Sequence, residues 1–206
     1  MVSRDIYLAQ YNDARVHFST ISTANSVDLI RKAKKAGVKV TCDVAAHALV
    51  LTEDLLEGFD SNYKVKPPLR TKADQKALLA GLKDGTIDAI VSQHTPQEIE
   101  FKNVEFEIAS YGITGLQTAL PLAIKAGMSP EQIVEKMAVN PRKILGLPIP
   151  VLEAGNSANF ILFDTLEEWT LNEKTNCSRS ENSPFFGENL IGKIKLIVNN
   201  AQYFTY

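Results

Sequence analysis

The chain has 206 residues, with 45% hydrophobic and 22% charged side chains, the composition of an ordinary globular protein. A formal net charge of −2 at pH 7 provides no broad basic surface, which excludes nucleic acid and anionic membranes as electrostatic partners. No apolar run approaches the roughly 20 residues that span a bilayer, and the first residues lack the layout of a signal peptide. The two cysteines, Cys42 and Cys177, have no C-x-x-C spacing, so we expect a cytoplasmic protein with reduced thiols.

Short β-branched runs alternate with helical patterns over the first two-thirds of the chain. In chain order the patterns predict the end of a helix at 4–11, a strand at 14–19, a helix from the capping residues 22–25 to Gly37, a strand at 38–44, a helix at 72–82, a strand at 87–92, and helices at 114–126 and 129–139. Repeated strand–helix units of this size indicate a parallel sheet. Three units cannot close an eight-stranded barrel of roughly 250 residues. The pattern therefore leaves two readings, an open α/β domain or part of a larger barrel.

The pattern changes after Pro148. Residues 159–164, 168–171 and 194–206 are strand-like, and the last run predicts a hairpin that turns at Asn199-Asn200. We therefore predict two units, one at 1–148 and a small β module at 149–206.

Five segments in register resemble one family, the dihydroorotases of the amidohydrolase superfamily. They are HFSTIST (17–23), VKPPLR (65–70), DGTIDAI (84–90), GITGLQTALP (112–121) and NPRKILGL (140–147), and the tail adds EWT (168–170) and SPF (183–185). The resemblance covers almost the whole chain. It implies a (β/α)₈ barrel with a small β-sandwich, of which this chain supplies the last three strand–helix units and the C-terminal part of the sandwich. It also implies the family reaction in pyrimidine biosynthesis, the zinc-dependent interconversion of carbamoyl aspartate and dihydroorotate.

Two positions that carry the family's chemistry hold other residues here. The sixth strand of the family ends in His-x-x-His-x-Ser-Thr, and Thr20 stands where the second histidine binds metal, while His17 keeps the first. The eighth strand carries Asp-His-Ala-Pro-His, and Gln93 replaces the aspartate that is both ligand and general base. A threonine hydroxyl is a poor zinc ligand and an amide cannot accept the proton. We predict no metal site on this chain, with His17 as a weak candidate.

Five further positions match the substrate pocket of the family; they are Lys66, Arg70, His94, Gln97 and Gly112. Lys66 replaces an asparagine that contacts the dihydroorotate ring, and Gln97 replaces a substrate-binding histidine. For Lys66 we favour a solvated loop lysine, for His94 a hydrogen-bonding role, and for Arg70 a role in organising its loop.

His47 and Asp43 follow the seventh strand. The resemblance gives neither of them a primary metal-ligand role, so support or packing is expected. Close packing explains Gly112 and Gly115 as well as a ligand contact does.

Three functional hypotheses remain. The leading one is a pseudoenzyme of the dihydroorotase family, a homodimer that acts as a structural partner, with aspartate transcarbamoylase as the named partner. The second is an active zinc-dependent cyclic amidohydrolase whose remaining ligands lie outside these residues. The third is a small-molecule sensor in which Lys66, Arg70 and His94 hold an anionic ligand such as dihydroorotate or carbamoyl aspartate.

Overall fold

The computed structural model describes residues 1–205. Its helices and strands, in chain order, are α1 (Val2–Tyr11), β1 (Val16–Phe18), α2 (Ala24–Lys35), β2 (Val40–Ala45), α3 (Lys72–Lys83), β3 (Ala89–Val91), α4 (Ala119–Lys125), α5 (Pro130–Val134), α6 (Asn140–Leu145), β4 (Asn159–Thr170), β5 (Asn189–Asn199) and β6 (Gln202–Thr205). No helix among these residues is both long enough and apolar enough to cross a bilayer.

The first sheet is parallel and has the order β1-β2-β3. Val16 pairs with Val40 and Asp43 pairs with Ala89, so the three strands lie side by side in sequence order. The central strand is the most buried because helices and loops cover it, and α2 and α3 bury one apolar face each against the core. The predicted α/β class with a parallel sheet is confirmed.

The second sheet is antiparallel and has the order β4-β5-β6. The predicted hairpin is confirmed, because Asn199 pairs with Gln202 and Asn200 adopts a positive φ of 54° in the turn. The predicted runs 159–164 and 168–171 form one strand, β4, in which the register shifts between Asp164 and Glu168. A bulge of this kind bends a strand without ending its pairing.

Two helix boundaries differ from the prediction. The helix predicted at 114–126 begins only at Ala119, because the amides of Gly115 and Leu116 donate to the side chain of His94 instead of to helical carbonyls. The helix predicted at 129–139 begins in the predicted place, with a capping box at Ser129. It continues through a π-helical turn, Glu135–Val139, directly into α6.

Candidate functional site

The loops that follow the three parallel strands enclose one cavity, which we call the strand-end cavity. Its polar lining comes from all three loops: Thr20 and Ser22 follow β1, His47 and Arg70 follow β2, and Gln93 follows β3. The carboxyl ends of parallel strands are where α/β folds build their sites. The structure therefore brings the two replaced family positions, 20 and 93, to the same cavity.

Both replaced positions have an unusual backbone. The φ angle is 53° at Thr20 and 47° at Gln93. A positive φ is uncommon for any residue other than glycine, is several-fold more frequent for Asn, Asp and His, and is a true outlier for a β-branched residue. The turns at these two strand ends consequently suit the family's histidine and aspartate better than the residues that are present.

The amide of Gln93 has a fixed orientation. Its Nε2 donates to the carbonyl oxygen of Lys66 at 2.8 Å, which directs Oε1 away from that carbonyl. Oε1 is buried and has no hydrogen-bond partner among residues 1–205. An aspartate has no N–H group and could not make the bond to Lys66, so this local contact depends on the amide.

His17 takes part in a hydrogen-bonded group on the parallel sheet. Its Nε2 lies 2.9 Å from Asp43 Oδ2 and its Nδ1 lies 2.9 Å from Thr41 Oγ1. The other Asp43 oxygen accepts the backbone N–H of Thr20 at 2.6 Å and lies 3.4 Å from Ser19 Oγ. Asp43 is only 4% exposed. Both ring nitrogens of His17 are thus engaged, and Asp43 holds the turn that contains Thr20.

His47 is buried in the wall of the strand-end cavity, with 2% of its surface exposed. Burial lowers the pKa of His47 to about 4, because the charged imidazolium would lose its hydration. Its Nδ1 has no hydrogen-bond partner among residues 1–205. The ring is therefore neutral near pH 7, and it adds no charge to the cavity that positions 20 and 93 also line.

The three residues proposed to hold an anion line three different pockets. Arg70 lines the strand-end cavity and its Nε donates to Ser22 Oγ at 3.2 Å. Lys66 is exposed, and its Nζ lies 5.8 Å from the ring centroid of Tyr111. His94 lines a separate pocket beside Gln117 and Cys177.

His94 acts as a hydrogen-bond acceptor. The backbone N–H groups of Gly115 and Leu116 lie 3.2 Å and 3.3 Å from its Nδ1. Nδ1 must therefore be unprotonated, which places the proton of a neutral ring on Nε2. This ring orients the segment that leads into α4.

Gln97 and Gly112 are held by a side chain that the sequence patterns did not single out, Asn182. Its Oδ1 accepts the N–H of Gln97 at 3.0 Å and its Nδ2 donates to the carbonyl of Gly112 at 3.1 Å. Gly112 has a φ of 121°, and a Cβ there would lie 2.6 Å from the side chain of Thr95. Close packing accounts for this glycine. No periodicity or spacing marks a lone asparagine in a polar loop.

Two buried lysines that form no ion pair with a carboxylate of residues 1–205 were also missed. Lys102 Nζ donates to the carbonyls of Ser61, Ser110 and Gly112 at 2.5, 3.0 and 3.2 Å. Lys64 Nζ donates to two carbonyls, at residues 106 and 107, at 2.6 and 2.8 Å. Burial lowers the pKa of Lys102 to about 8. Lysine is normally exposed, so the sequence alone gave no reason to place either one inside.

The residues at the replaced positions of the strand-end cavity are poor zinc ligands. No three His, Cys, Asp or Glu side chains within residues 1–205 lie close enough together to hold a metal ion. The hydroxyl of Thr20 and the amide of Gln93 are weak donors for zinc, which prefers imidazole, thiolate and carboxylate. Any metal at the strand-end cavity would need ligands from outside these residues.

Comparisons with known proteins agree on one family. A model of the amidohydrolase family matches residues 7–200. A dihydroorotase of Acetivibrio thermocellus is 47% identical over 206 residues, which cover 98% of this chain and 48% of that protein.

Solved structures give the same fold. The L-hydantoinase (dihydropyrimidinase) from Arthrobacter aurescens has a TM-score of 0.90 at 27% identity, over 99% of this chain and 48% of that one. The inactive dihydroorotase-like domain of the Chaetomium thermophilum CAD-like multifunctional protein has a TM-score of 0.73 at 22% identity, over 98% of this chain and 54% of that one. The chain thus spans about half the length of the relatives that it matches.

Proposed function

The chain belongs to the amidohydrolase family, and on that premise we propose that it is a dihydroorotase-type member that has kept the barrel framework and lost the hydrolytic site. Its role is then that of a scaffold or partner subunit in pyrimidine biosynthesis. The similarity to dihydroorotases and to hydantoinase structures confirms the family resemblance and the expected barrel fold. The loss of activity is our inference from the site.

The state of Gln93 is the main support for this proposal. Opening a cyclic amide requires a water made nucleophilic near neutral pH and a group that takes its proton. Gln93 stands at the family position of that group, and its amide is bound to the carbonyl of Lys66. An amide does not accept a proton near pH 7, and loss of general-base assistance typically costs about 10²–10⁴-fold in rate.

Among the residues that line the strand-end cavity, His47 is the remaining candidate for a base. Burial lowers its pKa to about 4, so it is a weaker proton acceptor than an ordinary histidine, and only 2% of its surface is exposed. The Asp43 carboxylate already accepts hydrogen bonds from Thr20 and His17. Residues 1–205 therefore shape a pocket and orient Arg70, but the carboxylate that the family places at position 93 is replaced by an amide.

The partner assignments follow from this proposal. We propose a homodimer in a cytoplasmic assembly with aspartate transcarbamoylase, the kind of partner that noncatalytic dihydroorotase-like proteins serve. The name of the Chaetomium neighbour states that a domain of this fold is inactive within a multifunctional protein. Retention of the fold without the activity therefore has a precedent.

An active dihydroorotase is the second candidate, favoured by the 47% identity to a protein of that name. In that case zinc is held by ligands outside this chain, and another residue serves as the base. Zinc dependence and ring opening are then properties of the full-length protein.

Dihydroorotate ring opening by the natural full-length protein with added zinc separates the two candidates. We expect no turnover above background from the natural protein. Gln93→Asp combined with Thr20→His is the matched gain-of-function variant, and Gln97→His is a control that restores a family residue without restoring the base. Turnover by the natural protein at ordinary enzyme rates, about 1–10³ s⁻¹, would overturn the proposal.

A further inference from the structure

We propose that the loop at residues 98–108 is a docking surface for a separate protein that presents lysine or arginine side chains around an apolar patch. This inference rests on the proposed function for its role, because a scaffold needs a partner surface. Its geometric support is independent of the strand-end cavity.

The loop alternates acidic and apolar residues on its exposed side. Ile99 and Ile108 are each 70% exposed, and Phe101 is 54% exposed. Exposed glutamates stand among them at positions 98, 100, 105 and 107. Contiguous apolar side chains rimmed by charge are typical of protein-interaction sites.

None of the four glutamates forms an ion pair with a basic side chain elsewhere in the described part of the chain. Four unpaired acidic groups around an apolar strip create a negative potential that favours a basic partner and disfavours an acidic one. The same charges argue against a symmetric contact with a second copy, which would bring glutamates against glutamates.

The backbone of the loop is anchored from its inner side, although its outer face is exposed. Lys102 is 6% exposed and donates to three backbone carbonyls, two of them on the return segment of the loop, at Ser110 and Gly112. Lys64 donates to two more, at residues 106 and 107. Ser61 Oγ donates in turn to the carbonyl of Lys102 at 2.5 Å. A surface that is ordered before binding loses less entropy when the partner arrives.

The anchors of this surface come from the long loop that follows β2. Ser61 and Lys64 belong to that loop, and both donate to backbone carbonyls of the 98–108 loop. The side chain of Phe59 extends the apolar strip, and its ring packs edge-on against Phe106 with centroids 5.9 Å apart.

A photo-crosslinking experiment on the natural full-length protein, in cells of its own organism, tests the proposal. The change Phe101→p-benzoylphenylalanine places the probe on the loop. Leu166→p-benzoylphenylalanine is the control, because Leu166 is 82% exposed on β4, far from the loop in sequence. We expect an adduct with a separate polypeptide from position 101 only, at a peptide with at least two lysine or arginine residues beside apolar ones.

Charge reversal provides the second arm. Glu98→Lys with Glu100→Lys should lower the yield of the adduct at least tenfold, whereas Glu153→Lys with Glu173→Lys, two exposed glutamates outside the loop, should leave it unchanged. The proposal is overturned by adducts confined to the same polypeptide or to a second copy, by an acidic contact peptide, by no adduct, or by an equal response to both charge reversals. A protein that opens dihydroorotate but still gives the expected adduct would overturn the proposed function and leave this inference standing.

Discussion

Thr20 has a backbone conformation that its own side chain disfavours. Its φ of 53° is in the left-handed region, where branching at Cβ causes steric crowding. Strain of this kind costs of the order of 1–3 kcal/mol and persists only where the surroundings impose it. Here the carboxylate of Asp43 imposes it by accepting the Thr20 N–H.

Thr20→Asn should therefore raise the free energy of unfolding by about 1 kcal/mol, because asparagine tolerates positive φ. Urea unfolding of the full-length protein measures the change. Thr23→Asn is the matched control, since Thr23 caps α2 at an ordinary φ of −122° and asparagine caps equally well. Equal effects at the two positions would show that Thr20 is not strained.

His47 should make the protein less stable in acid. Its pKa is about 4 in the folded state and 6.5 in the unfolded chain, so the unfolded state binds the proton first as the pH falls. The contribution of His47 to the free energy of unfolding is fully present above pH 6.5. It decreases by up to about 1.4 kcal/mol per pH unit between 6.5 and 4, and it does not change further below pH 4.

His47→Gln removes this titration, so its urea midpoint should vary less with pH between 6.5 and 4 than that of the natural protein. The comparison uses the slope and not the absolute stability, because the substitution also changes packing. Parallel slopes for the two proteins would mean that His47 titrates normally in the fold.

The candidate site was only partly predictable at the residue scale. Thr20 and Gln93 could be found because they interrupt motifs with fixed spacing, and the structure places both at one cavity. The placement of His94 and Arg70 in different pockets could not be predicted, because the spacing of a motif does not specify which pocket a side chain lines. The roles assigned to Lys66, Gln97 and Gly112 as pocket positions stay predictions.

At the element scale, a contact between α4 and β5 joins the antiparallel sheet to a helix of the preceding part of the chain. Gly192 on β5 has a φ of 104°, and a Cβ there would overlap Ile124 Cδ1 of α4. The indole Nε1 of Trp169 on β4 donates to the Gly192 carbonyl at 2.8 Å. A helix side chain thus fills the space that a missing side chain leaves in the sheet.

Gly192→Ala should lower the free energy of unfolding by about 2–4 kcal/mol, through the positive φ and the overlap with Ile124 together. Gly155→Ala isolates the backbone part, because Gly155 has a φ of 94° and open space around it. We expect Gly155→Ala to cost about 1 kcal/mol. The double change Gly192→Ala with Ile124→Ala should recover part of the loss. If Gly192→Ala lowers the free energy of unfolding no more than Gly155→Ala does, the contact between Gly192 and Ile124 is contradicted.

Element types were more predictable than element limits. Turn residues and hydrophobic periods located all three parallel strands and the hairpin. The start of α4 was wrong because an imidazole, remote in sequence, accepts the amides that would begin the helix. A periodic pattern cannot register a tertiary acceptor of that kind.

At the scale of the whole molecule, the open edges of the parallel sheet are the feature that bears on self-association. Within residues 1–205, β1 and β3 each have one edge without a paired strand. Unpaired backbone groups and the apolar faces beside them promote association. The division into units at residue 148 is likewise a whole-molecule prediction that awaits limited proteolysis.

The 206-residue polypeptide produced by itself should consequently self-associate. Light scattering after size-exclusion chromatography should give a mass that rises with concentration, while the full-length protein should keep one mass over the same range. A monodisperse monomer at every concentration would show that the loops and helices already protect both edges.

The two free edges have a consequence for how a barrel of this family closes. Because β1 and β3 lie on opposite sides of β2, a segment that completes the sheet must bind at two places at once. Such a segment is a bivalent ligand, and after its first contact the second forms at the effective concentration set by the chain between them, which can raise avidity 10²–10⁴-fold. A single backbone cut in that intervening chain would therefore remove the covalent part of this linkage while leaving every interstrand contact chemically intact.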